Sequence, residues 1–82
     1  MEGEMATHNI LSVTRVVAPR GDYPGTYRVL IETVDEGNTE LIYEHVNGLD
    51  ELDAARRVRK WVDSEVYDYE RAIRKAVNSV SN

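Results

Sequence analysis

The sequence predicts an α+β fold: a three-stranded antiparallel sheet followed by two helices packed on one of its faces, in the order β-β-β-α-α. Three observations carry it. Two β-rich runs, "NILSVTRVVA" and "TYRVLIETV", and a third, "TELIYEHV", fill residues 9–46 and are separated by turn-forming residues. From Leu49 onward there is neither proline nor glycine. In that second half the apolar residues recur every three or four positions, the helical period. Eighty-two residues make one domain, with residues 1–8 expected as a disordered lead, 9–46 as the sheet and 49–80 as the helical part.

The first run leaves two inward faces open. If Leu11, Val13 and Val17 point to the core, Arg15 points there too and must reach a carboxylate or the rim. If Ile10, Ser12, Thr14 and Val16 point inward, the other set lies outside and forms an apolar patch. The link "PRGDYPG", with two prolines and two glycines, forbids a regular element. Its "RGD" matches an integrin-binding tripeptide, but the glycine has a loop-forming reason of its own.

Between the second and third strands, Asp35, Glu36 and Gly37 fit a three-residue hairpin loop, two right-handed residues and then a left-handed glycine. That loop sets Ile31 against Leu41, Val29 against Tyr43 and Tyr27 against His45 on the core side, with Arg28 facing Glu44 and Leu30 facing Ile42 outside. The outer face is then acidic with an apolar centre.

In the helical part, Asp50 suits an N-cap, with acids in the first turn where the helix dipole favours them. Leu52, Ala55, Val58 and Val62 form one stripe. Val66, Tyr69, Ile73, Ala76, Val77 and Val80 form a second. "DSE" offers Asp63 or Ser64 as a new N-cap, which predicts two helices turning back on each other to cover the inner sheet face. The same positions also fit a heptad register, and a single unbroken helix of about 45 Å would have to pair with another chain.

Charge and chemistry narrow the function. The formal net charge is -5, with -8 in residues 1–55 (eleven acids, three bases) and +3 in residues 56–82 (four acids, seven bases). There is no cysteine, hence no disulfide and no thiolate chemistry. No apolar run approaches the ~20 residues of a membrane span, and the first residues have no signal-peptide pattern, so a cytoplasmic protein is expected. His8 and His45 show no metal-ligand spacing; His8 falls in the expected tail, and His45 reads as an edge-of-core residue. No nucleophile has a base at a known spacing, so no enzyme, cofactor or metal is expected.

Two surfaces are candidates. The acidic sheet face, Arg28, Leu30, Glu32, Glu40, Ile42 and Glu44, with Tyr23 beside it, has the apolar centre and charged rim of a protein-binding patch. The basic helix face, Arg56, Arg57, Lys60, Arg71, Arg74 and Lys75, is the alternative, a phosphate or nucleic-acid grip. Asp53 with Arg57, Arg59 with Asp63, Asp68 with Arg71 and Glu70 with Arg74 are spaced for ion pairs, which explains most of that cluster as a solvated face.

The order of elements, "IETVDEGNT" before the last strand, and Trp61 followed by Ile73, Ala76 and Asn78 resemble the small phage-encoded anti-CRISPR proteins of the type I-F class. The likeness departs where "DSEVYDYE" stands in place of a glycine-rich connection between the helices. It implies a stoichiometric, non-enzymatic inhibitor whose sheet surface occupies a basic nucleic-acid-binding groove of a host nucleoprotein complex. A small nucleic-acid-binding regulator and a homodimeric assembly protein are the alternatives.

Overall fold

A computed structural model describes residues 6–80. Three eleven-residue strands, β1 (Thr7–Val17), β2 (Gly25–Asp35) and β3 (Asn38–Gly48), precede two helices, α1 (Glu51–Val62) and α2 (Glu65–Val80). The sheet is antiparallel in the order β1-β2-β3. The α+β fold and its element order are those the sequence predicts. The disordered lead is corrected at its end, since Thr7 and His8 belong to β1; the same expectation for residues 1–5 lies outside the described residues.

The hairpin between β2 and β3 is one residue tighter than the glycine pattern suggests. Asp35 pairs with Asn38, leaving Glu36 (φ 53°) and Gly37 (φ 84°) as the two loop residues, both left-handed. That is the mirror-image turn whose twist matches paired strands. A left-handed Glu36 costs about 1–2 kcal/mol, offset by a ladder that then runs without a break from Asp35–Asn38 to Gly25–Gly48.

The one-residue difference turns every β3 side chain to the opposite face. Ile31 now faces Ile42, Val29 faces Glu44 and Tyr27 faces Val46 on the inner side, while Leu30 faces Tyr43 and Arg28 faces His45 outside. Tyr43 and His45, expected inside, are exposed.

β1 follows neither expected alternation. His8 and Ile10 pair with the inward Thr33 and Ile31, an irregularity lies between Ile10 and Ser12, and Val13 and Arg15 then pair with the inward Val29 and Tyr27. A bulge adds one residue and resets the parity, so the inward series is His8, Ile10, Val13, Arg15. Leu11 and Val17 are left more than half exposed.

Asp50 caps α1, its Oδ1 accepting from the Asp53 amide at 2.8 Å, while Asp53 Oδ2 accepts from the Leu49 amide at 2.8 Å. The chain breaks at Asp63 and Ser64, and Ser64 Oγ accepts from the Tyr67 amide at 3.3 Å. The single long helix is thereby excluded. α1 buries Ala54, Val58 and Val62, with Leu52 out in solvent. Val58 and Val62 meet Val29, Ile31 and Tyr67, with Ile10, Val13, Val46 and Trp61 packed around them.

α2 reverses the expected orientation. Among the described side chains of α2 the buried one is Tyr67, whereas Val66, Tyr69, Ile73 and Val77 are 58%, 69%, 45% and 57% exposed; the side chain of Val80, the last of the expected stripe, lies outside those described. The cause is the register. With Glu40 and Glu44 turned inward, the helix above them must present cations and a hydroxyl, and Arg71, Arg74 and Tyr67 lie on one side of α2, close to opposite its apolar stripe.

Candidate functional site

The residues proposed from sequence for protein binding divide between the two faces. Arg28, Leu30 and Glu32 lie outside; Glu40, Ile42 and Glu44 lie on the inner side, so they do not form one acidic surface. Tyr23 sits in the β1–β2 link, 76% exposed, where Arg20 and Tyr23 exchange backbone hydrogen bonds of 3.0 and 2.9 Å.

The outer face that results is mixed in charge. Strand alternation brings Leu41, Tyr43 and His45 of β3 beside Arg28, Leu30 and Glu32 of β2. No described element covers them. Leu41 and Tyr43 are 61% and 56% exposed. The Arg28 guanidinium lies 4.8 Å from the centre of the Tyr43 ring, a cation–π contact. Asn9 Nδ2 donates to Glu32 Oε1 at 3.2 Å, tying the rim to β1. Arg28 and Glu32 cancel, so the face is formally neutral with an apolar, aromatic centre.

The inner acids form a separate network. Glu44, 4% exposed, accepts from Tyr67 Oη at 2.7 Å and from Arg74 Nη2 and Nη1 at 2.8 and 3.3 Å. Burial first, and then the Glu44 carboxylate, push the Tyr67 phenol well above its ordinary pKa. The hydrogen bond to Glu44 raises that of Arg74. Glu40 lies 3.4 Å from Arg71 and 3.9 Å from Lys75.

A second network joins Thr33, His8 and Asp68. Thr33 Oγ1 lies 2.8 Å from His8 Nδ1, and His8 Nε2 lies 3.0 Å from Asp68 Oδ1. The ring of His8 meets Tyr67 edge to face at 5.3 Å, and Tyr67 meets Trp61 at 4.9 Å. Hydroxyl, imidazole and carboxylate in a row resemble an acyl-transfer relay. Thr33, however, is 1% exposed and His8 5%, which leaves no space for a substrate at the hydroxyl. The row ties the start of β1 to α2. Sequence reading missed it; the available signal was the two-residue spacing of His8 and Ile10, which extends the strand pattern back to residue 8.

The basic set does not converge. Arg71, Arg74 and Lys75 are turned toward Glu40 and Glu44, Arg57 Nε donates to Asp53 at 3.0 Å, and Arg56 and Lys60 stand exposed on α1. Three of the four helical pairs form: Asp53–Arg57, Arg59–Asp63 at 2.6 Å and Asp68–Arg71 at 3.9 Å. Arg74 takes Glu44 instead of Glu70, whose carboxylate accepts from Trp61 Nε1 at 3.3 Å.

Among the described residues no His, Cys, Asp and Glu side chains group to hold a metal ion, and no helix is long and apolar enough to cross a membrane. In comparisons with protein-family models, curated proteins and solved structures, the chain matches none.

Proposed function

We propose that the chain is a non-enzymatic protein-binding regulator that docks through the outer face of its sheet. The observation that carries this reading is the uncovered centre of Leu30, Leu41 and Tyr43, with Arg28 held over the Tyr43 ring at 4.8 Å. Tyrosine and arginine at the centre of an apolar patch are the residues that most often dominate a protein interface. A pre-stacked pair also loses little side-chain freedom on binding.

The face itself is neutral, so contact requires an apolar protein surface. The net charge of -5 acts at longer range and speeds encounter with a basic partner. In that form the inhibitor reading is retained: a basic host nucleoprotein complex supplies the attraction, and Leu30, Leu41 and Tyr43 supply the contact. Glu40 and Glu44 have no part in it.

The test is capture of partners from lysate of the source organism, after nuclease treatment and at two salt concentrations, with the wild-type chain and with Leu30→Lys and Tyr43→Asp. Both positions are on the open face, so the variants should keep the far-ultraviolet circular dichroism of the wild type. Protein captured by the wild type and lost by both variants supports docking at this face. Equal capture by all three, or recovery of nucleic acid alone, refutes it.

A further inference from the structure

A further uncovered apolar surface is on α2, where Val66, Tyr69, Ile73 and Ala76 follow one another at steps of three and four residues. All four are exposed. Tyr67, Arg71 and Arg74 face the sheet, so the helix carries its polar side inward and its apolar side out. Beside the stripe, Trp61, Glu70, Ile73 and Arg74 line a shallow groove.

We propose that this face is a homodimer surface, occupied by α2 of a second copy running antiparallel about a two-fold axis near Ala72. The charge pattern selects that occupant. Of the exposed charges of α2, Glu65 and Glu70 lie in its first half and Arg74 and Lys75 in its second. An antiparallel copy sets each acidic half along a basic half and opposes the two helix dipoles, whereas a parallel copy sets like on like. Glu70 and Arg74 both border the stripe on the Trp61 side. With the axis near Ala72, Glu70 lies alongside Arg74 of the second copy, twice by symmetry. Tyr69 then packs between Ile73 and Ala76 of the second copy, beside the groove.

Two sixteen-residue helices offer a footprint on the order of 24 by 10 Å. This is less than half of the ~800 Å² per partner of a standard interface. The dimer is accordingly weak, forming at tens of micromolar or above. The surface is separate from the outer sheet face, so the two can be occupied at once.

Sedimentation velocity from low-micromolar to millimolar concentration tests the proposal. The wild-type mass should rise from monomer to dimer. Ile73→Asp and Tyr69→Ser should remain monomeric with unchanged circular dichroism, and Glu70→Lys should weaken association several-fold. The chain has no cysteine, so Val66→Cys reports direction: an antiparallel pair holds the two introduced thiols apart, and a parallel pair cross-links them on oxidation. A monomer at every concentration, a dimer that survives Ile73→Asp, or a ready disulfide at position 66 overturns the proposal. So does loss of a different captured protein, rather than of self-association, in Ile73→Asp.

Discussion

Replacing Glu44 by glutamine keeps the shape of a side chain that is 6% exposed and removes its charge. In the native chain the carboxylate accepts three bonds, one from Tyr67 and two from Arg74. The amide can still accept through its oxygen, but its nitrogen is a donor placed among donors. Hydrogen bonds to a charged group contribute about 1.5–3 kcal/mol each. The Arg74 share must be discounted, because that guanidinium is half exposed and water replaces the lost partner. What remains is about 2 kcal/mol, mostly the buried bond from Tyr67. With a urea m-value near 1 kcal/mol/M for a chain of this size, the unfolding midpoint should fall by ~2 M. Glu40→Gln, at a carboxylate that is half exposed with contacts of 3.4 and 3.9 Å, serves as the control and should change stability by less than ~0.5 kcal/mol. Tyr67→Phe combined with Glu44→Gln should lose less than the sum of the two single changes, by about 1 kcal/mol. A Glu44→Gln midpoint within error of the wild type, or additive losses in the double variant, would refute the claim that this carboxylate anchors α2.

Two further outcomes follow from the same geometry. Gly25→Ala should destabilise by ~3 kcal/mol or prevent folding, because a Cβ there would lie 2.5 Å from Val17 O and 2.8 Å from Pro19, atoms of the chain that cannot swing away; thermal unfolding measures it. The Leu49 amide, and then Arg57, hold the Asp53 carboxyl below its ordinary pKa. Its contribution is therefore full above about pH 4 and lost as the pH falls through the depressed value, so Asp53→Asn should show a shallower loss of melting temperature on acidification than the wild type.

Local signals read well and non-local ones less so. Composition and period were enough for three strands and two helices, and Asp50 and Ser64 mark the helix starts through hydrogen bonds to near neighbours. The hairpin register was not legible, since Asp35, Glu36 and Gly37 suit both a three-residue and a two-residue loop, and only the left-handed Glu36 distinguishes them. That single position propagates. It moves Glu44 from the surface to the core, where Tyr67 meets it, and turns the stripe of α2 outward. Glu44 stands opposite Val29, and the partners that make its burial favourable, Tyr67 and Arg74, are 23 and 30 residues away. The bulge in β1 escaped for a similar reason, since nothing in "HNILSV" announces an extra residue. At the candidate docking face, Arg28, Leu30 and Glu32 were placed correctly, while Leu41 and Tyr43 were hidden by the same register.

The reversed polarity of α2 also divides the molecule by what it responds to. β2, β3 and α1 are joined through buried hydrocarbon, and their cohesion depends on heat and denaturant. α2 has one fully buried side chain among those described; the rest of its hold on the sheet is ionic or hydrogen-bonded, through Glu44, Glu40 and His8. At physiological salt, with a screening length near 8 Å, the exposed Glu40 contacts are already weakened, and more salt weakens them further. The last helix is thus the element expected to open locally before the remainder unfolds, with its buried Glu44–Tyr67 bond setting the main resistance and ionic strength adjusting the smaller share held by Glu40.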